Sequence, residues 1–315
     1  VAGRTNKQNR RKHSGVKTWI SVLVVALIIG AALAGLEWIK SRNERVPTVA
    51  APPAETVLLP KPMLAQLSTA VKPVQRPVST PAAPVAPVPQ VPRGKPGRVA
   101  IIIDDMGTSL QEVKTLMGMG IPLSFSVIPG LAKAAEVANF AHQQGYQVMI
   151  HLPMEPEGYP QRRLEKNGLL LSHSSDELRQ RVMDYLKAVP NAQGANNHMG
   201  SRFTTDREKM RIVLGVLQEN SLFFVDSVTS PKSIGLSEAR QMGMKTAARQ
   251  VFLDNVQDVQ AIRKQLLQLA AVAKKRGGAI GICHPHPTTI KALQLTLPEL
   301  AKSGITFVSA GELAS

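Results

Sequence analysis

From Val99 onward, short runs of apolar and often β-branched residues alternate with longer stretches in which apolar positions recur every three or four residues. The short runs predict strands over Val99 to Ile103, Leu123 to Ile128, Gln147 to Ile150, Ala192 to Ala195, Phe223 to Val225, Lys245 to Ala248, Ala279 to Cys283 and Thr306 to Val308. The longer stretches predict helices over Ser109 to Met119, Ala132 to Gln144, Asp176 to Val189, Asp206 to Glu219, Val256 to Arg276 and Thr288 to Lys302. Strand and helix in alternation are the pattern of a parallel sheet wrapped by helices, the α/β class. Seven or eight such units predict a closed or nearly closed, deformed (β/α)7-8 barrel rather than an open sheet.

The first third of the chain is patterned differently. Between Trp19 and Leu36 run eighteen residues whose only clearly polar member is Ser21, nearly enough to cross a bilayer as a helix. Residues 18–39 are therefore expected to be one transmembrane helix, with Trp19 and Trp38 at its two interfaces. Arg4, Lys7, Arg10, Arg11, Lys12 and Lys17 precede it without an acid, whereas Glu37 and Glu44 offset Lys40, Arg42 and Arg45 beyond it. That asymmetry puts the basic tail, residues 1–17, in the cytoplasm and the rest outside the cytoplasmic membrane. A cleaved signal peptide is the rival, since Gly30, Ala31, Ala32 and Ala34 supply small residues, but the apolar run is longer than the usual leader core. Both readings export the C-terminal part.

Residues 40–97 contain thirteen of the 23 prolines and read in part PAAPVAPVPQVP. Such a stretch cannot bury a core and is expected to be an extended, disordered linker. Residues 98–315 then form the globular domain, large enough to stabilise itself without disulfides. This matters because Cys283 is the sole cysteine.

The net charge of +16 raises the question of nucleic acid. Residues 1–98 hold 15 Lys and Arg against 3 Asp and Glu, and the remainder 23 against 19. The charge belongs to the tail and linker, the domain has no basic stripe with interleaved aromatics, and nucleic acid is discounted as a partner.

In a β/α barrel the site lies where strands end at their C-terminal face. The polar residues there are Asp104-Asp105 after the first strand, His151 after the third, Asn196-Asn197-His198 after the fourth, Asp226 after the fifth and His284-Pro285-His286 after the seventh. Two adjacent carboxylates repel unless a cation or a proton intervenes, so one metal ligand and one general base is a natural division. Capping of the helix near Ser109, or a turn with Gly107, is the structural alternative. His151 is a candidate ligand. Glu155 is a weaker one, because the prolines around it predict an irregular loop without helical i,i+4 geometry. His198 is suited to ligate a metal, to donate to substrate or to close a turn. His284 and His286, splayed by the prolines of GICHPHP, offer a general acid or base and a substrate contact, with Asn197 and Asp226 as further substrate contacts. Cys283 reads as a small buried residue rather than a nucleophile.

Taken in order, IIIDD, HLPMEP, NNHMGSRF, FFVDS and GICHPHP resemble the divergent polysaccharide deacetylase family, a distant branch of the NodB-homology carbohydrate esterases, over nearly all of residues 98–315. The resemblance implies a deformed β/α barrel that binds a divalent metal, with zinc the expected ion, and removes acetyl groups from N-acetylated sugars. It implies Asp104 as base, Asp105 and His151 as ligands and His284 as the acid that protonates the leaving amine. The chain departs from the commoner pattern. Glu155-Pro156 stands where a second histidine precedes proline, Asn197-His198-Met199-Gly200 replaces an arginine-containing segment so that His198 can supply the missing imidazole, and Asp226 stands without its usual Asp-x-x-Asp-Trp context. An exported domain on a long spacer has peptidoglycan or another envelope polysaccharide within reach. The other reading is a glycan-binding or scaffold protein that retains the fold without turnover.

Overall fold

Gly97–Met106 (β1) carries the apolar run AIII, fully buried as expected for a parallel strand covered on both faces. In the computed structural model, which describes residues 96–315, eight further strands follow: Ser124–Val127 (β2), Gln147–Met154 (β3), Gly194–Met199 (β4), Phe223–Asp226 (β5), Thr246–Ala248 (β6), Val251–Phe252 (β7), Gly278–Cys283 (β8) and Ile305–Val308 (β9). All pairings are parallel, in the order β6-β5-β4-β3-β2-β1-β8-β7. β9 joins β1 along Gly97–Ala100, below the stretch that pairs with β2. The two edges of the path are joined by the chain itself: β6 ends at Ala248 and β7 starts at Val251, so the edges stand at most about 11 Å apart. The sheet must therefore curl into a barrel, and it stays open because no ladder joins β6 to β7. The expected barrel is present with an unpaired seam.

Seven helices cover it: Leu110–Met117 (α1), Ala134–Gln143 (α2), Ser175–Ala188 (α3), Arg207–Glu219 (α4), Gly235–Gln241 (α5), Val259–Arg276 (α6) and Pro287–Lys302 (α7). Local chemistry sets their ends. Ser174 and Glu177 form a reciprocal capping box at α3, and Asp206 and Asp258 cap α4 and α6. Gly277 ends α6 in the left-handed conformation after Lys274, Lys275 and Arg276, where positive charge suits the helix dipole. The amino-acid pattern does not mark α5 or β7, since seven and two residues are too short to show a period.

Strand alternation sorts the core into two layers. Val99, Ile101 and Ile103 of β1 face the helices; Ala100 and Ile102 point into the barrel with Met149, Val225, Ile280, Ile282 and Phe223. Gly194 makes room there, because a Cβ on it would stand 2.4 Å from the Phe223 ring.

The expected transmembrane helix, tail and linker lie outside the described residues. Among the described residues no helix is long and apolar enough to cross a membrane.

Candidate active site

The inward-facing rows continue upward into polar residues. Ala100 and Ile102 are followed on their face by Asp104, Met149 by His151, Gly194 by Asn196 and His198, and Ile280 and Ile282 by His284. Period two thus carries four strands into one cleft of about 640 Å³ lined by Asp104, His151, Asn197, His198, Ser227 and His284, within the roughly 300–1,000 Å³ typical of ligand sites.

Asp105 should face the helices by the same rule. It does not, because the β1–β2 register shifts between Ile103 and Met106 and Asp105 takes φ 59°. This bulge turns both carboxylates to one side: Asp104 Oδ2 and Asp105 Oδ1 lie 3.4 and 3.3 Å from the same atom, His151 Nε2. Met199 (φ 52°) and Val228 (φ 49°) are also left-handed at the cleft. Such non-glycine conformations cost on the order of 1–3 kcal/mol each and cluster at functional sites.

Asp105 Oδ1 lies 3.0 Å from His198 Nδ1, and His198 Nδ1 lies 3.2 Å from His151 Nε2. The three atoms form a triangle with edges of 3.0, 3.2 and 3.3 Å. Donors about 2.0–2.1 Å from a tetrahedral ion stand roughly 3.3–3.4 Å apart, so this triangle matches one face of a coordination tetrahedron. Asp105 Oδ1 is buried and makes no aligned hydrogen bond, which leaves it available to a cation. Asp105, His151 and His198 could therefore hold a divalent ion.

The surrounding groups set the protonation states. Asn196 Oδ1 faces His151 Nδ1 at 3.0 Å and accepts from Ser126 Oγ, while Asn196 Nδ2 donates to Asp104 Oδ1 at 2.9 Å and Ser227 Oγ at 3.1 Å. His151 Nδ1–H therefore donates to the amide, and Nε2 is left for the triangle. Burial pushes the Asp104 carboxyl above its usual range, against the opposing pull of His151 and Asn196. Burial would also raise Asp105, but the close approach of the His151 and His198 imidazoles wins and holds it well below the carboxylate range. For His284, burial disfavours the charged form, yet Asp254 overrides it and pushes the imidazole up to about 9. Asp254 Oδ1 faces His284 Nδ1 at 3.1 Å, and Oδ2 accepts from the His284 N–H at 2.7 Å and Thr289 Oγ1 at 3.0 Å. His284 Nε2 is thereby turned toward Asp105 Oδ2, 3.8 Å away.

Several expectations need correction. Glu155 does lie in a loop, directly after β3 ends at Met154, but it is not placed as a ligand. Its Oε1 meets Arg202 at 2.8 Å and its Oε2 accepts from the Leu171 N–H at 2.8 Å, so both oxygens are engaged away from the triangle. Asp226 does not line the cleft. It accepts from the Val228 and Leu236 N–H groups and from Ser233 Oγ, and so shapes the loop after β5. Asn197 lines the cleft but spends its amide on Ser227 N–H, Met199 O and Thr229 Oγ1. His286 is exposed at the start of α7, its ring 5.6 Å from that of His284. Cys283 is buried, as expected.

Three residues that matter here have no role assigned by the strand-end pattern. Asn196 looked like one of a polar pair, and only period two along β4 marks it as inward-facing. Asp254 follows a two-residue strand too short to be recognised, so the signal of a strand end was missing. Glu165, with Oε1 3.7 Å from His198 Nε2, comes from a long loop with no pattern at all.

A family model described as divergent polysaccharide deacetylase matches residues 101–314. The chain is 38% identical over 217 residues to uncharacterized protein YibQ of Escherichia coli, covering 69% of this chain and 67% of the relative. It is 36% identical over 216 residues to an uncharacterized protein of Haemophilus influenzae, covering 69% and 76%. The crystal structure of uncharacterized protein ATU2773 from Agrobacterium tumefaciens superposes with a TM-score of 0.66 at 22% identity, over 70% of this chain and 90% of that one, a likeness of fold. With two thirds of the chain matched by the family model and its inward-facing rows meeting in one cleft, this protein belongs to the divergent polysaccharide deacetylase family.

Proposed function

We propose that this protein is a metal-dependent deacetylase that removes acetyl groups from N-acetylated sugars of an envelope polysaccharide such as peptidoglycan. The observation that carries the reading is the Asp105–His151–His198 triangle, flanked by a buried carboxylate and by an imidazole backed by a second carboxylate. A divalent ion held there, zinc being expected, would polarise an amide carbonyl and acidify water at neutral pH. Asp104, its carboxyl raised by burial and its Oδ1 fixed by Asn196, takes the proton of the attacking water. The water oxygen bonds to the acetyl carbon, and the carbon–nitrogen bond then breaks. His284, protonated near neutral pH and aimed by Asp254, gives its Nε2 proton to the departing amine. Acetate and a free amino sugar are the products.

The apolar run between Trp19 and Trp38, with its one-sided basic flank, supports a single span with the N-terminus in the cytoplasm. The proline-rich residues 40–97 would hold the domain away from the bilayer, with envelope glycan in reach. Amine release and bound zinc should both be lost in Asp105→Ala; undiminished amine release from that variant would reject the reading.

A further inference from the structure

We propose that Arg249 binds a carboxylate carried by the glycan beside the acetamide to be cleaved, so that the preferred substrate is an acidic N-acetylated polysaccharide; this deepens the deacetylase reading and rests on it. Arg249 follows β6 directly and is held firmly. Its backbone N–H donates to Asp226 O at 2.9 Å, its Nε to Ser227 O at 2.7 Å and its Nη2 to Val228 O at 2.9 Å. The guanidinium lies over the Phe252 ring, 5.1 Å from its centroid, a favourable cation–π placement. It is half-buried and lines the cleft shared by Asp104, His151, His198 and His284.

This cation lacks what the neighbouring arginines have. Arg202 pairs with Glu155, and Arg207 and Arg211 pair with Glu238, although all three are more than half exposed. Among the described residues, no carboxylate lies within ion-pair distance of Arg249, which is the more enclosed; Asp226 and Asp104 favour its charge only from beyond that distance, and burial opposes them. A half-buried charge without a contacting counter-ion is costly, and here the backbone carbonyls of a strained loop keep it in place. Two of its five N–H groups are spent on those carbonyls, leaving the Nη1 pair and one Nη2 hydrogen free. That fork fits a carboxylate in bidentate geometry.

The position narrows the ligand. Phe252 also packs edge-on against His284, with ring centroids 5.5 Å apart. One aromatic ring thus separates the cation from the group that protonates the leaving amine, which places the carboxylate on the same sugar or the next one. Ser201, Thr229, Asn255 and Gln265 supply neutral partners for sugar hydroxyls around it, and Arg162 adds an exposed cation at the rim. Both a lactyl ether and a uronic acid present such a carboxylate.

The test uses the full chain loaded with zinc and three probes. These are the neutral trimer of N-acetylglucosamine, the disaccharide of N-acetylglucosamine and N-acetylmuramic acid, and a tetrasaccharide alternating N-acetylglucosamine with glucuronate. Calorimetry should show at least one acidic probe binding about tenfold or more tighter than the trimer, the preference shrinking as salt screens it. Which acidic probe gains separates the lactyl source from the uronate source. Arg249→Gln should bring the acidic-to-neutral ratio close to one, and Arg249→Lys, which keeps the charge without the fork, should fall between. The proposal is overturned if the wild-type chain binds the trimer as tightly as both acidic probes, if it binds neither acidic probe, or if Arg249→Gln weakens all three alike. Should Arg249→Gln fail to fold, the wild-type ratio and its salt dependence decide. Amine release is followed in parallel: an acidic preference without amine from any probe would sink the deacetylase reading and leave the carboxylate site standing.

Discussion

The Asn196 side chain serves Asp104, His151, Ser126 and Ser227 at once, and all five residues are buried. Asn196→Ala should therefore cost roughly 1–3 kcal/mol for each buried group left without a partner. It should also weaken metal binding about 10–100-fold, since the tautomer of His151 is no longer set. Denaturant unfolding and a zinc titration measure the two effects, and an unchanged zinc affinity would remove Asn196 from the positioning role. The Asp254–His284 pair makes a separate prediction with a definite sign. His284 rises from 6.5 to about 9 on folding, so the folded state binds a proton more tightly than the unfolded chain. The resulting stability is fully present below the unfolded value of 6.5 and is lost as pH rises through about 9. Asp254→Asn should flatten this slope in metal-free protein, as thermal unfolding across that window would show. An equally steep slope in the variant would mean that another group is responsible.

At the scale of the element, the barrel interior tolerates little added volume beside β4. Gly194→Ala places a methyl 2.4 Å from the Phe223 ring on the neighbouring strand. Overpacking of this kind costs typically about 1–3 kcal/mol, readable as a lowered denaturant midpoint at an unchanged slope. A midpoint equal to that of the wild type would show that Phe223 moves aside freely. The same strand shows what could be read from the amino acids and what could not. Apolar runs located the major strands, because a parallel strand buried on both faces must be apolar throughout. Strand ends then pointed to Asp104, Asp105, His151, His198 and His284. Three things were illegible. The bulge that turns Asp105 inward depends on one positive φ, which no residue in IIIDDMG announces by itself. Glu155 and Asp226 sit where site residues are expected, but whether a carboxylate faces a cleft or caps a loop depends on partners distant in sequence, such as Arg202 and Leu236. Asp254 follows a strand of two residues, below the length at which any periodicity exists.

Across the whole domain, the proposed ion ties together strands that fold far apart in sequence. Asp105 lies on β1, His151 on β3 and His198 on β4, so the three donors converge only when that half of the barrel is assembled. An ion bound to this arrangement and absent from the unfolded chain must stabilise the domain by mass action. At a free zinc concentration a hundredfold above the dissociation constant, the gain should be about 2.7 kcal/mol. For a domain of this size each kcal/mol moves the unfolding temperature by about 2–4 °C, so a rise of roughly 5–10 °C is expected, reversed by a chelator. Asp105→Ala removes one corner of the triangle and leaves alanine in a left-handed conformation that aspartate tolerates better. The metal-free variant should therefore unfold close to, or somewhat below, the metal-free wild type, yet show no zinc-dependent rise. The two baselines separate loss of a ligand from loss of the fold. A wild-type unfolding temperature indifferent to zinc and chelator would mean that the triangle holds no ion, and the barrel mouth would then have to act, if it acts on glycans at all, through Asp104, His284 and their hydrogen-bonded partners alone.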